Sequence, residues 1–166
     1  MLRLLCHEKM SVIHLTTEID SSIDRCFDIA RDVDIHKLST KKTNERAIAG
    51  RKSGLCERGD KITWEAEHFW IRQRLTVEIT QLEKPHFFED KMLKGAFKSM
   101  SHEHRFKEFN GRTIMIDKFE YEVPFGPIGR LVDKLILRNY MTRFLLTRNE
   151  VMKSIAEQVQ LKEPFD

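Results

Sequence analysis

Cysteine is scarce, with three in 166 residues: Cys6, Cys26 and Cys56. They are odd in number, far apart and form no Cys-x-x-Cys pair. A disulfide framework or a structural zinc site is therefore not expected, and reduced thiols in a cytoplasm fit best. The sequence also lacks a Gly-rich phosphate loop and a Gly-x-Ser-x-Gly nucleophile elbow. No apolar run approaches the roughly 20 residues of a membrane helix, and the opening MLRLLCHEK is charged too soon for a secretory signal. A strong charge of one sign is missing as well. The net charge of +3 is too small to indicate nucleic acid as a partner.

What remains has an ordinary folded balance, 40% hydrophobic and 33% charged, over a length that suits one domain with a real core. Residues 11–158 read as that domain, between a flexible extension at 1–10 and a frayed tail at 159–166. A strand is expected over 11–19, its apolar face carrying Ile13, Leu15, Thr17 and Ile19. A helix follows, with Ser21 and Asp24 as a capping box and Ile23, Phe27 and Ala30 on one stripe. Asp34 is the expected cap of a second short turn at 35–38. From 43 to 123 the pattern is mostly β. Ile62, Trp64 and Ala66 share one strand face, and Leu75, Val77 and Ile79 share another. The turn between those strands holds no Gly or Pro to fix it. Pro85 separates them from a weaker strand near 86–94.

Asn110-Gly111 between two alternating runs is the sharpest local signal, because a type I′ turn needs positive φ at both central positions. A two-residue loop pairs Phe106 with Met115, His104 with Asp117, His102 with Phe119, and Met100 with Tyr121. Those eight residues share the inward face, and Lys98 extends it toward the strand end.

Pro127 suits the first turn of a long terminal helix. Its apolar residues form two stripes about half a turn apart. Ile128, Leu131, Val132, Leu135 and Ile136 make the first, and Leu137, Met141, Phe144, Leu145, Met152 and Ile155 the second. The helix either breaks near 138–140 or buries opposite faces at its two ends. Between 127 and 158, six basic residues stand against three acidic ones.

The order strand, two short helices, antiparallel strands and long helix, with Pro-Phe-Gly-Pro-Ile-Gly-Arg-Leu leading into the last element, resembles the SRPBCC superfamily, which includes the START domains and polyketide cyclase-like proteins. Asp34-Ile35-His36-Lys37-Leu38-Ser39, Thr63-Trp64-Glu65-Ala66 and the run from Gly95 through Tyr121 look like a bacterial branch of it. The resemblance spans roughly 11–157. It implies an α+β helix-grip fold, a curved antiparallel sheet wrapped around the C-terminal helix with a ligand cavity between them. It implies no particular reaction.

On that frame Trp64, Lys98, Met100, His102, Phe106, Met115, Phe119 and Tyr121 are the expected ligand-binding residues. The ligand class is small and hydrophobic or amphipathic: a lipid, quinone or polyketide-like molecule. His104 and Asp117 are the candidate catalytic pair for a cyclase or dehydratase, a carboxylate orienting an imidazole base; the same pair also serves as a satisfied structural contact. His102 and His104 on one strand could join a metal site only with a further ligand from His68 or His36, so no metal and no cofactor are expected. The basic final helix leaves contact with a membrane surface or another chain open, as a monomer or homodimer.

Overall fold

The computed structural model describes residues 10–158. The expected tail at 159–166, and all of the expected extension at 1–10 except Met10, lie outside the described residues. β1 (Ser11–Ile19) is followed by α1 (Ile23–Ala30), α2 (Val33–Ser39) and a 3₁₀ turn (Lys41–Thr43). Six strands follow: β2 (Arg46–Gly50), β3 (Lys61–His68), β4 (Ile71–Glu83), β5 (Phe87–Lys94), β6 (Ser99–Phe109) and β7 (Arg112–Glu122). The seven form one antiparallel sheet in the order β1-β7-β6-β5-β4-β3-β2, so the first strand closes against the last. Bulges in β2 and β4 bend the sheet.

Asn110 and Gly111 both have positive φ and set the expected register, with His104 opposite Asp117 and Phe106 opposite Met115. The turn that lacked Gly and Pro falls at Phe69-Trp70. Both residues have positive φ, and His68 pairs with Ile71 across it. Two caps differ from expectation. Asp32, not Asp34, caps α2 by accepting from the Asp34 and Ile35 N–H groups; Asp34 instead accepts from the Gly54 N–H. Ser22 opens α1 without a side-chain cap, and Ser21 is buried just before it.

The terminal helix is continuous but not uniform. α3 (Gly126–Val132) passes through a π-helical turn (Asp133–Leu137) into α4 (Arg138–Glu157). The π turn inserts an extra residue, which rotates the following stripe by about 100°. This accounts for much of the change of side read in the sequence and puts it just before 138–140. Buried Asp133 is the inward anchor of that turn, accepting from the Tyr121 and Ser11 hydroxyls. Gly129 is needed there because a Cβ would lie 1.8 Å from the Pro124 carbonyl oxygen.

α4 packs against β1, α1 and α2. Phe27, Phe88, Phe106, Met115, Ile19, Met152 and Ala156 form a dense cluster at that end, with Phe27 edge-on to Phe88 and Phe106 at 5.6 and 5.5 Å. A second cluster, around Ile13, Trp64, Met100 and Phe119, borders an opening instead of closing it.

Candidate functional site

Between the sheet and the terminal helix lies a cavity of about 450 Å³, within the range of small-molecule sites. Its walls come mainly from alternate residues of β3 to β7: Trp64, Ala66, Val77, Phe88, Met100 and Phe119. α4 contributes Met141, Phe144 and Leu145. The mouth is rimmed by Phe69 at the β3–β4 turn, by Phe125 just before α3, and by Ile128 and Val132 on it, all exposed.

Two polar groups interrupt these walls. In the first, Asp90 of β5 sits across the ladder from His102, and Phe88 sits across from His104, so strand pairing gathers Asp90, His102 and His104 on one face. Behind them, His104 Nδ1 lies 2.7 Å and His102 Nε2 3.2 Å from Asp117 Oδ1. Asn149 Nδ2 donates to Asp117 Oδ2 at 2.6 Å and fixes the carboxylate. Burial pushes His102 down to about 4, helped by the neighbouring His104. Burial works to raise the Asp117 carboxyl, but contacts with His102 and His104 outweigh it and hold it well below the usual range.

The second polar group lies on α2, β3 and the segment before β2. His36 stacks on Trp64 at 4.2 Å, with its Nε2 3.2 Å from Glu45 Oε2. Burial would raise Glu45, but the His36 contact outweighs it and lowers it. His68 Nδ1 meets the Tyr140 hydroxyl at 2.7 Å.

Of the expected site residues, Trp64, Met100, His102, His104 and Phe119 are brought together on the cavity wall. Asp117 stands behind the wall, fully buried. Four residues expected to bind ligand do not line the cavity. Phe106 and Met115 belong to the dense cluster, because α1 covers their end of the sheet. Tyr121 turns its hydroxyl to Asp133. Lys98 precedes the regular part of β6 and is exposed, its Nζ 2.6 Å from Glu122 Oε1.

Asp90, His102 and His104 present ligand atoms within 4.8 Å of one another, the one such group among the described residues. They are the residues that could hold a metal, with the third ligand coming from Asp90 and not from His68 or His36. Arg148 works against a dication there, because its positive charge is near enough to act on Asp90 and would repel the ion.

No protein-family model matches the chain, and no curated protein does. Solved structures do match. A protein of Thermus thermophilus superposes with a TM-score of 0.73 at 15% identity, covering 92% of this chain and 100% of that one. A START superfamily protein from Mycobacterium smegmatis gives 0.68 at 13%, covering 89% and 98%. A major latex-like protein from Panax ginseng gives 0.63 at 14%, covering 89% and 97%. The chain has a START-like helix-grip fold. At these identities the likeness is one of fold.

Within this helix-grip domain, sequence reasoning missed Asp90, Arg148 and Asn149. A signal existed for each. Phe88, Asp90 and Met92 alternate on β5. Arg148 falls on the helical spacing of Met141, Leu145 and Met152, and Asn149 follows Leu145 by four. A polar residue on a buried stripe is the mark to look for.

Proposed function

We propose that this helix-grip domain binds a small hydrophobic or amphipathic molecule in the cavity between sheet and terminal helix. The cavity itself carries the reading: about 450 Å³ with apolar walls and a polar patch set into one side. A ligand placed there trades water for apolar surface and meets a few orienting polar groups. Native mass spectrometry of the purified protein tests this, together with titration by the hydrophobic fluorophore N-phenyl-1-naphthylamine. A bound small molecule or saturable fluorophore binding is expected. Ala66→Phe, which projects a ring into the cavity, should weaken fluorophore binding at least tenfold. A protein that carries nothing and ignores the fluorophore contradicts the reading.

Two further readings each rest on one observation. His104 lines the cavity with Asp117 behind it, the arrangement of an oriented imidazole base in a cyclase or dehydratase. The test is exchange of the acidic C–H of a bound β-diketone in D₂O, followed by NMR, with His104→Gln as control. Exchange no faster than in buffer argues against it. The exposed apolar rim, with Trp70 92% exposed at the β3–β4 turn, favours docking of the mouth on an anionic membrane surface. Sedimentation with phosphatidylglycerol vesicles at low and high salt tests this, and absence of binding at low salt contradicts it.

A further inference from the structure

Arg148 stands apart from every other buried cation of the described residues. It lies on α4, is 4% exposed, and lines the cavity. Its Nε and Nη1 are sealed from solvent and have no hydrogen-bond partner. Arg31, the other buried arginine, is fully engaged with Asp28, Glu57 and the Cys56 carbonyl. A guanidinium offers five N–H donors and no acceptor, and leaving its donors buried and unbonded is destabilising. Asp90 shares the cavity wall and feels the Arg148 charge, but the two form no ion pair. The arginine is thus partly balanced in charge while the donors of its Nε and Nη1 are unused. What it lacks is a planar acceptor reaching it from the cavity.

We infer that Arg148 is the anchor for the carboxylate of an amphipathic monocarboxylic acid whose apolar body fills the cavity. The inference rests on the binding function proposed above and names the class of ligand. A carboxylate matches the fork of the guanidinium with two parallel N–H···O bonds; an alcohol or ester does not. His102 and His104, on the same wall, bracket the head group, while Trp64, Met100 and Phe119 surround the chain. The arginine sits on a rigid helix between Leu145 and Met152, both buried, so it is held ready before the ligand arrives.

The test is calorimetric titration of the delipidated protein with dodecanoate, dodecanol and methyl dodecanoate, all below micelle-forming concentrations. Dodecanoate is expected to bind at least tenfold more tightly than either neutral analogue. Arg148→Met should erase that preference while leaving dodecanol affinity within about threefold. It should also raise the melting temperature of the ligand-free protein, because it removes an unsatisfied buried charge. Equal affinity of the wild-type protein for acid and alcohol overturns the anchor and leaves the cavity reading standing, a result that needs no variant. Binding of none of the three overturns both. Retained acid preference in Arg148→Met, or in Arg148→Gln should the first variant not fold, also overturns the anchor.

Discussion

Along β6 and β7 one inward face passes from a filled end to a hollow one. Phe106 and Met115 are buried among Phe27, Phe88 and Met152, and the space between sheet and helix is closed. Farther along the same ladder, Met100, His102 and Phe119 belong to the same alternation but border the cavity. The residue types do not explain the difference, since both ends carry large apolar side chains. The covering elements do. At the filled end α1 and the end of α4 press onto the sheet. At the hollow end the helix is held by Asp133 through Tyr121 and Ser11, and the π turn leaves Ile128, Leu131, Leu135 and Ile136 facing out. An apolar strand face becomes core or cavity lining according to what the opposite layer brings to it.

That contrast can be broken by mutation. Phe106→Ala at the filled end should cost about 3–5 kcal/mol, as for other buried aromatics. Phe119→Ala should cost clearly less, because it enlarges a space that is already open. Urea denaturation of both variants decides, and equal losses would remove the distinction.

Next in size is the buried group behind the cavity wall. Asp117→Asn should cost about 1–3 kcal/mol by leaving buried polar groups of His102 and His104 without their carboxylate acceptor. The pH dependence has a definite sign. Asp117 has a lowered folded-state value, so its contribution is present above the unfolded carboxyl value of about 3.9 and is lost as pH falls further. His102 has a folded value near 4 against about 6.5 unfolded. The unfolded chain therefore binds the extra proton between those values, and stability falls as pH drops from about 6.5 to about 4. His102→Gln should flatten that slope in chemical denaturation followed across pH. An unchanged slope would mean that His102 is not held neutral.

Filling the space sharpens the comparison. Ala156→Phe, in the dense cluster, should destabilise by about 1–3 kcal/mol through overpacking. Ala66→Phe, on the cavity wall, should be neutral or stabilising by up to about 2 kcal/mol. Thermal melts of the two variants should move in opposite directions.

The smallest effect belongs to the rim. Ile128→Ser, at a residue 73% exposed, should change stability by no more than about 0.5 kcal/mol. A large loss there would mean that the rim is packed in solution.

Much of the frame is legible in the residues alone. The β6–β7 register follows from Asn110-Gly111, because a two-residue turn with positive φ leaves one pairing. The buried faces of β1 and α1 follow from their periods of 2 and 3.6. Within the site, His102, His104 and Asp117 are legible because that hairpin is local. Asp90 is not, since its place beside the histidines depends on β5 pairing with β6, and no sharp turn signal sets that register. Lys98 departs from expectation because β6 begins at Ser99, so the strand alternation does not reach it.

By itself, then, the sequence determined the elements, their apolar faces and the hairpin that seats two histidines over a carboxylate. These depend on turn chemistry and periodicity, which act over a few residues. Only the tertiary structure decided that one end of the face is filled and the other hollow, and that Arg148 is buried there with Nε and Nη1 unpartnered. Those facts depend on distances between layers and on a π turn whose effect appears only when helix and sheet are brought together.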